Sequence, residues 1–114
     1  LCQAPLAMVP LSTTAKRPLK PDSTVVICAA CPEGLGWHSV LGPGTALGGR
    51  PGKPQHRTVV FSPGINKWDC LAKFGPDALF CKTWPAVLEV LEKAHGKGAK
   101  VAVFPAGAIQ MAAA

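Results

Sequence analysis

Apolar positions in this chain come in short runs that stop at proline and glycine. Val25-Val26-Ile27-Cys28-Ala29-Ala30 stops at Cys31-Pro32-Glu33-Gly34-Leu35-Gly36. Val59-Val60-Phe61 stops at Ser62-Pro63-Gly64, and Val101-Ala102-Val103-Phe104 stops at Pro105-Ala106-Gly107. β-Branched runs of this length, cut by turn formers, predict buried strands followed by loops. Strands are therefore expected near residues 24–30, 58–62 and 100–104. Ala78-Leu79-Phe80-Cys81 predicts a further short strand or extended turn at 78–81. Asn66 suits the N-cap of a short helix over 66–73, with Gly75 as its stop. Trp84, Val87, Leu88 and Leu91 recur at i, i+3, i+4 and i+7, which predicts an amphipathic helix over 85–95. Pro85 fits its first turn, and His95 and Gly96 fit its end.

This order of elements predicts an α/β domain: a three-layer, open, mainly parallel sheet with few helices and right-handed crossovers. Ligands of parallel sheets bind beyond the carboxyl ends of the strands. The three proline/glycine turns would all lie at that edge. Residues 1–20 read as an arm and linker from a preceding domain, because Pro5 and Pro10 break their apolar run. Residues 21–114 read as the α/β domain. Within it, residues 42–56 hold Gly42, Pro43, Gly44, Gly48, Gly49, Pro51, Gly52 and Pro54, which predicts a flexible loop. Gly48-Gly49-Arg50-Pro51-Gly52-Lys53 is not a phosphate-binding loop. Leu47 stands where its first glycine belongs, and Pro54 replaces the hydroxyl residue.

Composition narrows the class. The chain has 114 residues, room for one domain with a modest core, and does not begin with Met, as expected of a piece of a longer protein. No apolar run approaches the roughly 20 residues of a spanning helix. The net charge of +6 is spread along the chain and there is no tyrosine. Nucleic-acid binders concentrate charge in a stripe and add stacking aromatics, so a basic surface that attracts anions fits better. Five cysteines spread through apolar segments suit free thiols in a reducing compartment, and predict a cytoplasmic protein.

Candidate chemistry is sparse. Cys28-Ala29-Ala30-Cys31 has the two-cysteine spacing of zinc and redox sites. Cys70 and Cys81 do not supply the second pair a zinc site needs, and a strand would turn the two thiols to opposite faces. His38, His56 and His95 have no partner at metal-ligand spacing. His38 follows the glycine turn, where it could face a ligand. Glycines 34 and 36 let backbone N–H groups converge on an anion or approach a ligand. Glu33 could accept hydrogen bonds from a substrate hydroxyl or cap the turn's own backbone. Ser62 offers a hydroxyl at a strand end, but no base and acid accompany it as a nucleophile requires.

The motifs, taken in order, resemble a known family. Cys31-Pro32-Glu33-Gly34-Leu35-Gly36, then Phe61-Ser62-Pro63-Gly64-Ile65-Asn66-Lys67-Trp68-Asp69, then Val101-Ala102-Val103-Phe104-Pro105-Ala106-Gly107-Ala108-Ile109-Gln110 resemble the C-terminal domain of the nickel-pincer lactate racemases. Residues 74–84 resemble the same family's connection into its last helix. Leu1-Cys2-Gln3-Ala4-Pro5-Leu6 aligns with the family's Tyr-Gln-x-x-Lys contact segment. Gln3 keeps the amide, Cys2 replaces the Tyr, and Leu6 replaces the Lys. These departures, with a loop where the family has a tryptophan-bearing helix, point to a divergent branch.

The resemblance implies a domain of a 2-hydroxy-acid isomerase that closes a cleft over a nickel-pincer nucleotide. The cofactor lysine and the catalytic histidines would belong to a missing N-terminal domain, which is then the partner. This chain alone would be inactive and hold no metal. Gln3 would contact the cofactor, and Glu33, Gly34, Gly36 and Ser62 would line the substrate side. A face bared by loss of the partner domain would promote self-association. The other reading is a standalone α/β module that binds a small anion or a protein partner through the same turns.

Overall fold

The computed structural model describes residues 19–32, 34 and 56–105. They form strand β1 (Thr24–Cys28), strand β2 (Arg57–Phe61), helix α1 (Lys67–Phe74), strand β3 (Leu79–Cys81) and helix α2 (Trp84–His95). The strands make one parallel sheet in the order β1-β2-β3. Thr24 stands opposite Arg57 and Cys28 opposite Phe61, while Val59 stands opposite Leu79 and Phe61 opposite Cys81. Two helices and a small parallel sheet are compatible with the α/β class the sequence predicts.

Strand alternation sorts the apolar side chains into two clusters. Val25, Ile27 and Val60 pack with Ile65, Ala78 and the α1 residues Cys70 and Phe74. Val59 and Cys81 pack with Val87 of α2, flanked by the half-buried Val26, Phe61, Val90 and Leu91. Val59, Val60, Cys70 and Val87 are fully buried.

Local signals set the helix ends. Asn66 caps α1: its Oδ1 accepts the Asp69 N–H at 2.9 Å, and its Nδ2 donates to Asp69 Oδ2 at 2.8 Å. Gly75 and Gly96 end the two helices, donating their N–H groups to the carbonyls of Leu71 and Glu92 at 2.8 Å each. On α2 the buried stripe is centred on Val87 rather than on Trp84 and Leu88, which are 46% and 50% exposed.

One boundary and one strand differ from expectation. β1 stops at Cys28, two residues early, and the turn that follows it holds Cys31 at a positive φ of 45°. The short segment near 78–81 is a true strand, paired to β2. Residues 100–104 form no strand, and Val101 and Val103 are 76% and 74% exposed. β-Propensity holds a strand only through ladder bonds and cross-strand packing, and this segment has no ladder to the sheet. The arm before residue 19 and the loop at 42–55 lie outside the described residues. Among the described residues no helix is long and apolar enough to cross a membrane.

Candidate functional site

In a parallel sheet all carboxyl ends point one way, so the turns after β1, β2 and β3 share an edge. The structure joins the first two closely. Beyond the ladder proper, the Ala29 N–H donates to Phe61 O at 3.0 Å and the Ser62 N–H donates to Cys81 O at 3.1 Å. Ser62 is fully buried, and its hydroxyl reaches Ala30 O at 3.5 Å, a long contact. Gly64 lies against the β1 turn. A Cβ on it would overlap the Cys31 carbonyl and lie 2.5 Å from the Ala30 oxygen. Only glycine permits this approach.

The β1 turn closes through the Gly34 N–H, which donates to Cys31 O at 3.0 Å. Gly34 has φ of +61°, and space is open where its Cβ would stand. Both helices start at this edge. Asn66 caps α1, whereas Thr83, the N-cap of α2, makes no side-chain cap bond. The Trp84 and Phe61 rings meet edge to face at 5.6 Å.

Of the residues singled out by sequence, the structure brings together the 31–34 turn, with Gly34 half-buried, and Ser62. Ser62 is buried, with its hydroxyl toward Ala30 O of the β1 turn. Gln3, Glu33, Gly36 and His38 lie outside the described residues.

Cys28 is exposed, Cys31 half-buried, and Cys70 and Cys81 buried, all as free thiols. Burial, with the nearby Cys81 as a lesser cause, pushes the Cys70 thiol up to about 11. Burial also raises Cys28 and Cys81. This is the wrong direction for a nucleophilic or redox thiolate, which needs a depressed pKa. Among the described residues no three His, Cys, Asp or Glu side chains converge on a metal position.

Histidines 56 and 95 sit at the opposite, amino edge. His95 Nε2 lies 2.8 Å from Thr24 Oγ1. His56 accepts the Thr58 hydroxyl at its carbonyl at 3.2 Å, and its Nδ1 is buried without a hydrogen-bond partner. Beside them a hollow of about 250 Å³ is lined by Pro21, Asp22, Ser23, His56, Arg57 and Ala94. Sequence reading missed this group because its members are far apart along the chain. Only the Thr24–Arg57 register brings them together.

Fold and edge define a small parallel-sheet module whose first two carboxyl-end turns are packed together. Comparison with family models, with curated proteins and with solved structures finds no match for this chain.

Proposed function

We propose that this chain is the cleft-closing domain of a 2-hydroxy-acid isomerase of the lactate racemase type, a three-layer α/β domain working in the cytoplasm. The observation that carries the reading is the contact of Gly64 with the Ala30 and Cys31 carbonyls. It joins two of the motifs that bear the resemblance at the sheet edge where parallel sheets meet ligands. In this role the chain shapes and closes the cleft. The 31–34 turn, which contains Glu33, presents backbone near the ligand, with Gly36 just beyond it in sequence, and Ser62 braces the turn from behind.

The described residues provide no donor set for nickel, so no step of the reaction is assigned to a metal on them. In the complete enzyme a nickel-pincer nucleotide would supply hydride chemistry, held by the N-terminal domain, and Gln3 would be this chain's contact with it. The test is the coding sequence upstream of Leu1. It is expected to encode a domain bearing the cofactor lysine and the catalytic histidines. A reading frame that opens at Leu1 with no such domain would end this proposal.

A second reading, a standalone small-anion module, draws on one observation: the 31–34 turn forms within this chain alone. Titration with phosphate or lactate, followed by NMR on the isolated chain, separates the two. Binding that is lost in Gly34→Val and Glu33→Ala favours the module, and no binding favours the domain of a larger enzyme.

A further inference from the structure

We propose that the hollow at the amino edge of the sheet binds a small zwitterion, an α-amino acid whose carboxylate pairs with Arg57 and whose ammonium pairs with Asp22. The site lies at the end of the sheet away from the 31–34 turn, and it does not rest on the racemase reading.

Three elements build the hollow. The register sets Thr24 opposite Arg57, so the 20–23 turn and His56 reach the sheet side by side. The Ser23 N–H closes that turn by donating to Lys20 O at 3.0 Å. The Thr24–His95 hydrogen bond of 2.8 Å pins the last turn of α2 to the same edge, and Ala94 of that turn forms the third wall.

The side chains around the hollow carry both signs of charge. Asp22 and Arg57 both line its roughly 250 Å³, yet no ion pair joins them, and neither side chain has another partner among the described residues. A simple anion such as phosphate gains Arg57 but meets the Asp22 carboxylate. A simple cation gains Asp22 but meets the guanidinium. A molecule with one charge of each sign uses both. α2 ends at this wall, and a helix C-terminus adds to Asp22 in favouring the ammonium. Sites for drug-sized ligands span about 300–1,000 Å³, so this smaller hollow suits a small amino acid.

His56 supplies a further donor. Its Nδ1 is buried without a partner. In folded proteins an orphaned buried N–H is rarer than an under-satisfied acceptor, so the neutral ring carries its proton on Nε2. The Nε2–H, the Ser23 hydroxyl and the guanidinium fork of Arg57 then give the carboxylate donors from three residues.

Titration of the full chain with L-alanine at neutral pH, followed by two-dimensional amide NMR, tests the site. Saturable shifts are expected at Asp22, Ser23, Arg57 and Ala94, with the 31–34 turn unmoved. Acetate and methylammonium each carry half of the ligand's charge pattern. Each should bind at least about tenfold more weakly, because it lacks one charge-assisted hydrogen bond. Arg57→Gln and Asp22→Asn change exposed residues, so the urea midpoint should hold while each lowers the affinity for L-alanine by a similar factor. The proposal is overturned if L-alanine gives no saturable shift at these residues, if acetate binds as tightly as L-alanine, or if either variant binds L-alanine unchanged.

Discussion

His95 Nε2 lies 2.8 Å from Thr24 Oγ1, so the last residue of α2 is hydrogen-bonded to the first residue of β1. The contact links residues 71 positions apart. It fixes where α2 ends relative to the sheet, and hence where the following segment starts.

A partly buried hydrogen bond of this kind contributes about 1 kcal/mol. Thr24→Val keeps the side-chain shape and removes the hydroxyl. Thr24→Val and His95→Ala should each lower stability in urea unfolding. In a double-mutant cycle they should couple by about 0.5–1.5 kcal/mol. Strictly additive losses would mean that the pair does not interact in solution.

The approach of Gly64 to the β1 turn yields a sharper expectation. In Gly64→Ala the new methyl collides with backbone carbonyls of residues 30 and 31, which cannot swing aside as a flexible side chain can. Overpacking of this kind costs about 1–3 kcal/mol. The urea midpoint should fall, and amide shifts should spread to Ala29 and Ser62, whose N–H groups bridge the strands. An unchanged midpoint would show that the two turns stand apart.

Local signals were legible in the sequence where they act alone. Asn66 as a cap, Gly75 and Gly96 as stops and the valine runs of β1 and β2 all fall within a residue or two of their predicted places. What depends on the rest of the molecule was not. Residues 101–104 have the same β-branched character as β1, yet they pair with no strand of the sheet, and composition alone does not supply a partner. Helical spacing put Trp84 and Leu88 on the buried face of α2, whereas Val87 faces the sheet and the two larger residues stand at the margin. Ser62 read as a hydroxyl at a ligand edge. It is buried where the β2 turn meets β1 and Gly64 approaches the Ala30 and Cys31 carbonyls, long-range contacts that no local pattern encodes.

The register of α2 makes its own test. Val59 is fully buried beneath Val87, while Leu88 is 50% exposed. Val59→Ala should cost about 2 kcal/mol, from the lost transfer energy and the cavity left behind. Leu88→Ala should stay within about 0.5 kcal/mol. If Leu88→Ala cost as much as Val59→Ala, another surface would have to cover that side of the helix.

Burial of the Cys70 thiol ties stability to alkaline pH. Its pKa is pushed up from 9.0 to about 11, mainly by desolvation. The folded state thus holds this proton more tightly than the unfolded state does. That contribution is fully present below pH 9 and is lost as pH rises through about 11. The sign follows because the unfolded chain becomes a thiolate first, and unfolding then releases a proton. Cys81 shifts in the same direction, also through burial, and adds to the slope. Stability from urea unfolding should therefore decline between pH 9 and 11, and Cys70→Val should flatten that decline. Thiolate absorbance in the folded chain gives an independent titration, with Cys70 among the last thiols to ionise. Parallel loss of stability in the wild type and Cys70→Val across this range would mean that Cys70 is not buried in solution.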